Sequence, residues 1–556
     1  MRAFFQKRSG LTDWLLLAAA CVAFQLPFVN KALQADSDLL VHAARMATYN
    51  PLSPPLGCYG RHMAVYNIHT GMPAGSLYSR CPHGPLLPLL LAPVANIAGD
   101  AQWPFHLALL PFSIAAVLGC YFLLLLFTNR TVAILASALM AGTPIFVVSG
   151  TNIMWDTPVF AFMVWSLGLL ISGVRRGSVV RIVISAALIG CAAITKMSAF
   201  PLMACEAFFV MLVGNRRFLS AWIIPAVVLP LAWATHNAAV FHTVQFFSTN
   251  HLNLLPADIR YKLERFIIYL GSMTAFPLVW WLIARRLGIA VSIAAVGILG
   301  GFLWGASLHV VLQRSVGYSA ACVFFGITGA YAALVTAKTI ACSSRITFAG
   351  RERLLVCGFC CLYCGFLAVI PTAEPRFILP LLPFLLLPPA LYAEELITKN
   401  RRVLFAALPA CQAILTIAIA QSDALTADSD RKLPDLLKQR GYCSTDVWYY
   451  GRLQFDYYLW KAGYSMVGVD TADAGAMRAV VETRIPSDLS VHNVLPANAK
   501  IFLADTIAIG RFPLRVCPPG CGLYGEDRLP YTVNLRLPLK CYSVFKIDVT
   551  RHSRKP

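Results

Sequence analysis

The fold class read from the sequence is an all-α polytopic membrane domain of about thirteen crossings, followed by a small mixed α/β domain. Three observations predict it. Of 556 residues, 58% are hydrophobic and 13% charged, with a mean hydropathy of +0.65; a water-soluble chain carries about 25% charged residues. Apolar runs of roughly 18 to 23 residues recur through the first three quarters, each long enough to cross a ~30 Å hydrocarbon core. The last 135 or so residues lose that pattern and read as a water-soluble segment of short strands and turns.

A crossing segment must satisfy its own backbone hydrogen bonds, so the apolar runs are expected to be helices. They lie near 11–32, 105–127, 131–149, 157–173, 182–195, 197–213, 218–240, 264–284, 288–311, 316–337, 354–371, 376–397 and 402–421. The first follows Arg2, Lys7 and Arg8, as in a signal peptide. Its length and the lack of a small-residue cleavage site favour an uncleaved helix. With the N-terminus cytoplasmic, thirteen crossings put the C-terminus outside.

The formal charge of +20 fits this topology and gives no nucleic-acid surface. Residues 1–421 hold 28 Lys/Arg and 12 Asp/Glu, against 18 and 14 in residues 422–556. The expected cytoplasmic segments, the N-terminal one with Arg2, Lys7 and Arg8 and those around Arg130, Arg175, Arg216, Arg285, Arg345 and Arg401, carry 18 of those 28 bases, as the positive-inside rule requires. No basic stripe is interleaved with aromatics.

Two outside regions are large. Residues 33–104 form the first outside loop, with two helices lying along the surface, Asp36 to about Tyr49 and Pro85 to Ala98. The expected division is a membrane domain over 1–421 and a periplasmic domain over 422–556. In the latter, Asp446–Tyr450, Lys500–Ala504 and Ser543–Val549 read as strands and Phe455–Ala462 as a helix. Of the 17 cysteines, Cys58 and Cys81 fall in the first loop and Cys443, Cys517, Cys521 and Cys541 in the tail. Even numbers on an oxidising side suit disulfides, Cys58–Cys81 among them. Cys357, Cys360, Cys361 and Cys364 have zinc-like spacing but line one face of a membrane helix, which suits helix packing.

Charged residues at the outer surface are the candidates for chemistry. Asp36 and Asp38 open the first loop, and Asp156 opens the helix at Trp155-Asp156-Thr157-Pro158. Each also fits a helix start, where Asp caps and complements the dipole. Lys196 ends a helix at the outer side, either snorkelling or meeting a phosphate. Arg80 and His251 are further outside groups able to meet a phosphate, and His251 also suits a metal. Glu206 is an acid in mid-helix with no evident role.

The order of these elements resembles the C-type glycosyltransferase superfamily, in the branch of bacterial aminoarabinose transferases and protein O-mannosyltransferases. The resemblance runs through Asp36-Ser37-Asp38, Pro82-His83-Gly84-Pro85-Leu86, Asp156-Thr157-Pro158, Thr195-Lys196, Phe246 to His251, Pro375-Arg376-Phe377-Ile378-Leu379-Pro380 and Phe455-Asp456-Tyr457-Tyr458-Leu459. It implies inverting transfer of a sugar from a polyprenyl-phosphate donor to an envelope lipid, glycan or protein, at the outer face of the inner membrane. By position, Asp36 matches the catalytic first-loop acid, with Asp38 the near alternative, and Asp156 matches a supporting acid. Lys196 and Arg80 match donor-phosphate positions, and His251 a histidine near the donor or a divalent metal ion. The departures are Ser37 between the two acids, and Cys81 and His83 in place of a Lys and a second Pro, which leave the donor sugar and any metal open. A transporter or flippase is the competing reading; it predicts repeated halves and polar residues converging at the bilayer midplane on interrupted helices, whereas this sequence shows no halves and its candidate acids lie at one face.

Overall fold

The computed structural model describes residues 10–34, 37–51, 83–242, 255–285, 316–370, 373–450, 456–466, 479–483, 499–516, 529–533 and 538–549. Asp36, Arg80, His251, Cys58, Cys81, Cys517, Cys521 and the apolar run near 288–311 lie outside these residues.

The helices follow in chain order: α1 Gly10–Gln25, α2 Ser37–Ala47, α3 Leu86–Ala98, α4 Trp103–Leu125, α5 Arg130–Ala141, α6 Pro144–Gly150, α7 Asp156–Arg176, α8 Val179–Thr195, α9 Phe200–Val213 and α10 Arg216–Phe241. Then come α11 Pro256–Met273, α12 Pro277–Ala284, α13 Val316–Cys342, α14 Gly350–Val369, a 3-10 turn Pro375–Leu381, α15 Leu382–Leu385, α16 Leu387–Thr398 and α17 Arg402–Gln439. Among the described residues seven helices are long and apolar enough to span a membrane, or ten when each bent pair counts as one span. The chain is a multi-pass membrane protein.

Local sequence explains where helices stop. Gly177 and Gly214 close α7 and α9 with φ of 65° and 73°, a conformation glycine adopts without strain. Asn129 caps α5 by accepting from the Val132 amide at 3.0 Å. Three runs expected as single crossings are broken and bent: by 59° between α5 and α6, 97° between α11 and α12, and 45° between the 3-10 turn with α15 and α16. Each break is followed by a proline that cannot continue the hydrogen-bond ladder: Pro144, Pro277 and Pro388. The break after α5 leaves the Gly142 carbonyl without a helical partner. It accepts instead from Thr416 Oγ1 at 2.6 Å and Gln412 Nε2 at 3.2 Å, both on α17.

Close approach of two other helices depends on glycine. A Cβ on Gly329 of α13 would lie 1.7 Å from the Ile267 carbonyl oxygen of α11, and one on Gly271 would lie 2.0 Å from that of Phe325. The two backbones therefore touch, in the manner of small-residue packing in membranes. At one end of the bundle, polar links join the loops: Arg130 to Asp13 at 2.6 Å, Arg175 to Glu352 at 2.6 Å and to the Leu126 carbonyl, and Asn129 to Glu394 at 2.9 Å. The candidate site occupies the other end.

The two helices expected in the first loop form, α2 packing on α3 in one cluster with Phe105, Ile153, Trp155, Tyr457 and Tyr458. The cysteines of α14 are free, Cys361 and Cys364 being exposed, and no group of three metal-ligating side chains occurs among the described residues. Cys443 and Cys541 also carry free thiols, so a disulfide between them is not formed.

The tail has strands β1 Val447–Tyr450, β2 Ser465–Met466, β3 Ala479–Thr483, β4 Ala499–Ile509, β5 Leu514–Val516, β6 Tyr531–Val533 and β7 Lys540–Val549, with helix α18 Asp456–Lys461 between β1 and β2. Five form one sheet in the order β2-β1-β3-β7-β4, parallel at β1 and antiparallel at β7. Alternate residues Val447 and Tyr449, Ala479 and Val481, and Tyr542 and Val544 bury one face against Leu433 and Leu437. Those leucines belong to α17, which runs on to Gln439 where the apolar pattern alone stops near 421. The extension is polar in sequence because it leaves the apolar layer, and it stays helical because the sheet covers its apolar stripe. Lys540 of β7 donates to Asp430 of α17 at 2.5 and 2.6 Å, and Tyr542 to the same carboxylate at 2.6 Å, all three buried.

Candidate active site

Asp156 sits in the first turn of α7, but it does not cap the helix. The residue before it, Trp155, occupies the cap position with no side-chain capping bond. The Asp156 carboxylate instead accepts from Lys196 Nζ at 2.6 Å, and Arg376 Nη1 stands 3.6 Å from its other oxygen. Arg376 also pairs with Glu374, 2.5 Å away. All four groups are buried, Lys196 at 4% exposure and Asp156 at 7%. Charges this far from water persist only when paired.

Backbone geometry explains how Lys196 arrives there. It leaves α8 in an extended conformation, φ −156° and ψ 137°, and forms an antiparallel bridge with His83. The adjacent Gly84 amide donates to the Thr195 carbonyl at 3.1 Å. Only a glycine fits, because a Cβ on Gly84 would sit 1.7 Å from the Ile194 oxygen. The His83–Gly84 turn from the first loop thus sets the end of α8. His83 lies over Trp155 with ring centroids 4.2 Å apart. Burial is the largest influence on its imidazole, and the Lys196 ammonium beside it adds to that. Although Asp156 pulls the other way, His83 is held well below the ordinary histidine range and is neutral.

The Phe377 ring completes the floor. Lys196 Nζ is 4.9 Å and the Arg376 guanidinium 5.5 Å from its centroid. Tyr363 of α14 donates to the Phe377 carbonyl at 3.0 Å, fixing the irregular backbone that carries Arg376. Trp155 Nε1 and Thr157 Oγ1, on either side of Asp156, are buried with no protein hydrogen-bond partner among the described residues. Native interiors rarely leave such groups unpaired without a reason.

Asp38 is buried in the first turn of α2, with Oδ1 accepting from the Leu39 amide at 2.7 Å. Its helix packs in the cluster that contains Trp155. So the structure joins Asp156 with Lys196 directly and brings the helix of Asp38 alongside through α3 and Trp155. Asp36, Arg80 and His251 lie outside the described residues. Glu206 is elsewhere: its carboxylate meets Ser166 Oγ at 2.9 Å and Trp222 Nε1 at 3.3 Å, about 15 Å along α7 from Asp156.

Sequence reasoning did not assign Arg376, Glu374 or His83 to the site. A signal for Arg376 existed: it is a cation at the outer mouth of an expected helix, where the positive-inside rule disfavours one. His83 and Gly84 gave no chemical signal, because their part is played by backbone.

Residues 82–239 match the family model described as dolichyl-phosphate-mannose-protein mannosyltransferase. No curated protein matches the chain. Among solved structures, the apo oligosaccharyltransferase of Archaeoglobus fulgidus is 13% identical over 86% of this chain and 70% of its own, with a TM-score of 0.49. ArnT from Cupriavidus metallidurans is 13% identical in its apo state, over 97% of this chain and 98% of its own, with a TM-score of 0.45. The same protein bound to undecaprenyl phosphate is 12% identical over the same shares, with a TM-score of 0.42. The segment matched by the family model holds His83, Gly84, Asp156 and Lys196.

Proposed function

We propose that the chain transfers a sugar from a polyprenyl-phosphate donor to an acceptor in the cell envelope, at the outer face of a bacterial-type inner membrane. In this arrangement the N-terminus is cytoplasmic and residues 422–556 are periplasmic. The observation that carries the proposal is the buried Asp156–Lys196–Arg376 cluster where α7, α8 and the Pro375–Leu381 turn meet. The donor class is supported by the family model that matches residues 82–239, whose description names a lipid-phosphate sugar.

Transfer by a single displacement forms a bond from the acceptor oxygen to the anomeric carbon. It breaks the bond from that carbon to the phosphate oxygen, which keeps the electron pair. Attack opposite the leaving group inverts the anomeric centre. Lys196 and Arg376 supply the positive charge that stabilises the departing phosphate, with Arg80 a further candidate. The acceptor proton must go to a carboxylate. Asp156 is engaged by two cations and is a poor base; its part is to hold Lys196 and Arg376 in place. The first-loop acids, Asp36 or Asp38, are left as the base. His251 stands as the candidate for donor or divalent-ion contact.

Purified protein in liposomes with a polyprenyl-phosphate sugar donor tests the reading, alongside mass spectrometry of envelope glycolipids and glycans. Asp156→Asn and Asp36→Asn should each lower transfer at least about 100-fold while inserting normally. Lys196→Ala should raise the donor KM more than the acceptor KM. Full activity in both Asn variants would reject the site.

A further inference from the structure

Between α1 and α2 the chain runs through Val29–Gln34 in no regular structure, yet Lys31, Ala32, Leu33 and Gln34 are buried. Buried irregular backbone needs partners for its polar groups. Here they come from side chains on three separate elements. Arg431 of α17 donates to the Asn30 carbonyl at 2.9 Å. His106 of α4 lies 3.0 Å from the Lys31 carbonyl. The Leu33 amide donates at 2.8 Å to the hydroxyl of Tyr458, on the short tail helix α18. The Lys31 ammonium pairs with Asp423 of α17, both fully enclosed.

These clamps are themselves linked. Gln102 Nε2 donates to the Tyr458 hydroxyl at 2.8 Å, and Arg431 donates to Gln102 Oε1 at 2.8 Å. Next to Tyr458, Tyr457 receives Arg45 of α2 at 3.4 Å, and Arg45 also donates to the Gly99 carbonyl at 2.6 Å. Burial pushes the Tyr458 phenol up to about 12, so it stays neutral and keeps its place in the network. Three residues beyond Gln34 the segment becomes α2, whose first turn carries Asp38.

We infer that Tyr458 is a positioning residue for the first-loop acid Asp38: the tail reaches across α4 and α17 and fixes the backbone that leads into the helix presenting it. This rests on the reading of a first-loop carboxylate as the base. A base must stand at hydrogen-bond distance from the acceptor hydroxyl, so a looser segment costs turnover rather than donor binding. The tail is thereby a working part of the site.

Tyr458→Phe keeps the ring in its cluster and removes only the hydroxyl. In the full-length protein, kcat should fall about tenfold, with the donor KM unchanged and the melting temperature in detergent close to wild type. Amide exchange in the peptide spanning 29–38 should quicken while that of α7 does not. Wild-type kcat, a fall in kcat matched by global destabilisation, or unchanged exchange at 29–38 would each overturn the proposal. Asp156→Asn and Asp38→Asn measured in parallel separate the two ideas. If they abolish transfer and Tyr458→Phe does not, only the role of Tyr458 falls; if they are fully active, the site itself falls.

Discussion

Gly84 offers the sharpest test of how the first loop holds the end of α8. In Gly84→Ala the new methyl would start 1.7 Å from the Ile194 oxygen and 2.6 Å from its carbonyl carbon, whereas real Cβ contacts essentially never fall below 3.0 Å. The two backbones must therefore part by at least the difference, 1.3 Å. That stretches the 3.1 Å bond from the Gly84 amide to the Thr195 carbonyl beyond hydrogen-bonding range and releases the bridge between His83 and Lys196. Lys196 then moves relative to Asp156 and Arg376. A displacement of about 1 Å in a reacting constellation costs on the order of 100-fold in rate, or about 2.7 kcal/mol of barrier. Single-turnover transfer from a polyprenyl-phosphate donor is the assay. Gly358→Ala on α14, where the added methyl meets nothing within 4 Å, is the control and should be unaffected. Turnover in Gly84→Ala within twofold of wild type would refute the coupling.

Three further outcomes are expected. Gly329→Ala puts a methyl 1.7 Å from the Ile267 carbonyl oxygen and must separate α11 from α13, lowering the unfolding free energy in detergent by about 1–3 kcal/mol; an unchanged unfolding midpoint would argue against backbone contact there. Glu206→Gln keeps hydrogen bonds to Ser166 and Trp222 and should leave stability near wild type. Glu206→Leu strands both partners and should cost about 1–3 kcal/mol in the same assay. The third concerns pH. The folded His83 is neutral well below the ordinary histidine range, while the unfolded chain takes up that proton near pH 6.5, so the native state binds fewer protons in this window. Its contribution is full above about pH 6.5 and is lost as pH falls from there toward the folded value. His83→Gln should flatten that acid limb of the melting profile; an identical limb would assign it to other groups.

Much of the helical layout was legible because the membrane imposes one rule on every crossing, and a run such as 157–173 has no alternative to a helix. The bends were less so. Pro144 and Pro277 were visible, but whether a proline kinks or ends a span depends on who takes the freed carbonyl, and that partner is Thr416, 274 residues away from Gly142. The extension of α17 to Gln439 was hidden for a related reason: hydropathy stops at the apolar layer, while helicity continues under the sheet. At the site, Asp156 and Lys196 were found as charges at helix ends, where capping and snorkelling explained them equally well. Their mutual distance was not in the sequence, since 40 residues and a β-bridge separate them. Tyr458 belonged to a recognisable stretch of the tail, yet nothing local links it to Leu33 across 425 residues.

The carbonyl at Gly142 has a consequence for biogenesis. α5 and α6 emerge from the ribosome long before α17, yet the oxygen exposed at their break is satisfied by Gln412 and Thr416 from that later helix. Until α17 inserts, the half-made protein carries an unsatisfied backbone group in hydrocarbon, a cost of several kcal/mol. Packing around the α5–α6 break is thus completed only by α17, and a nascent chain cut short before residue 412 lacks both donors to that carbonyl.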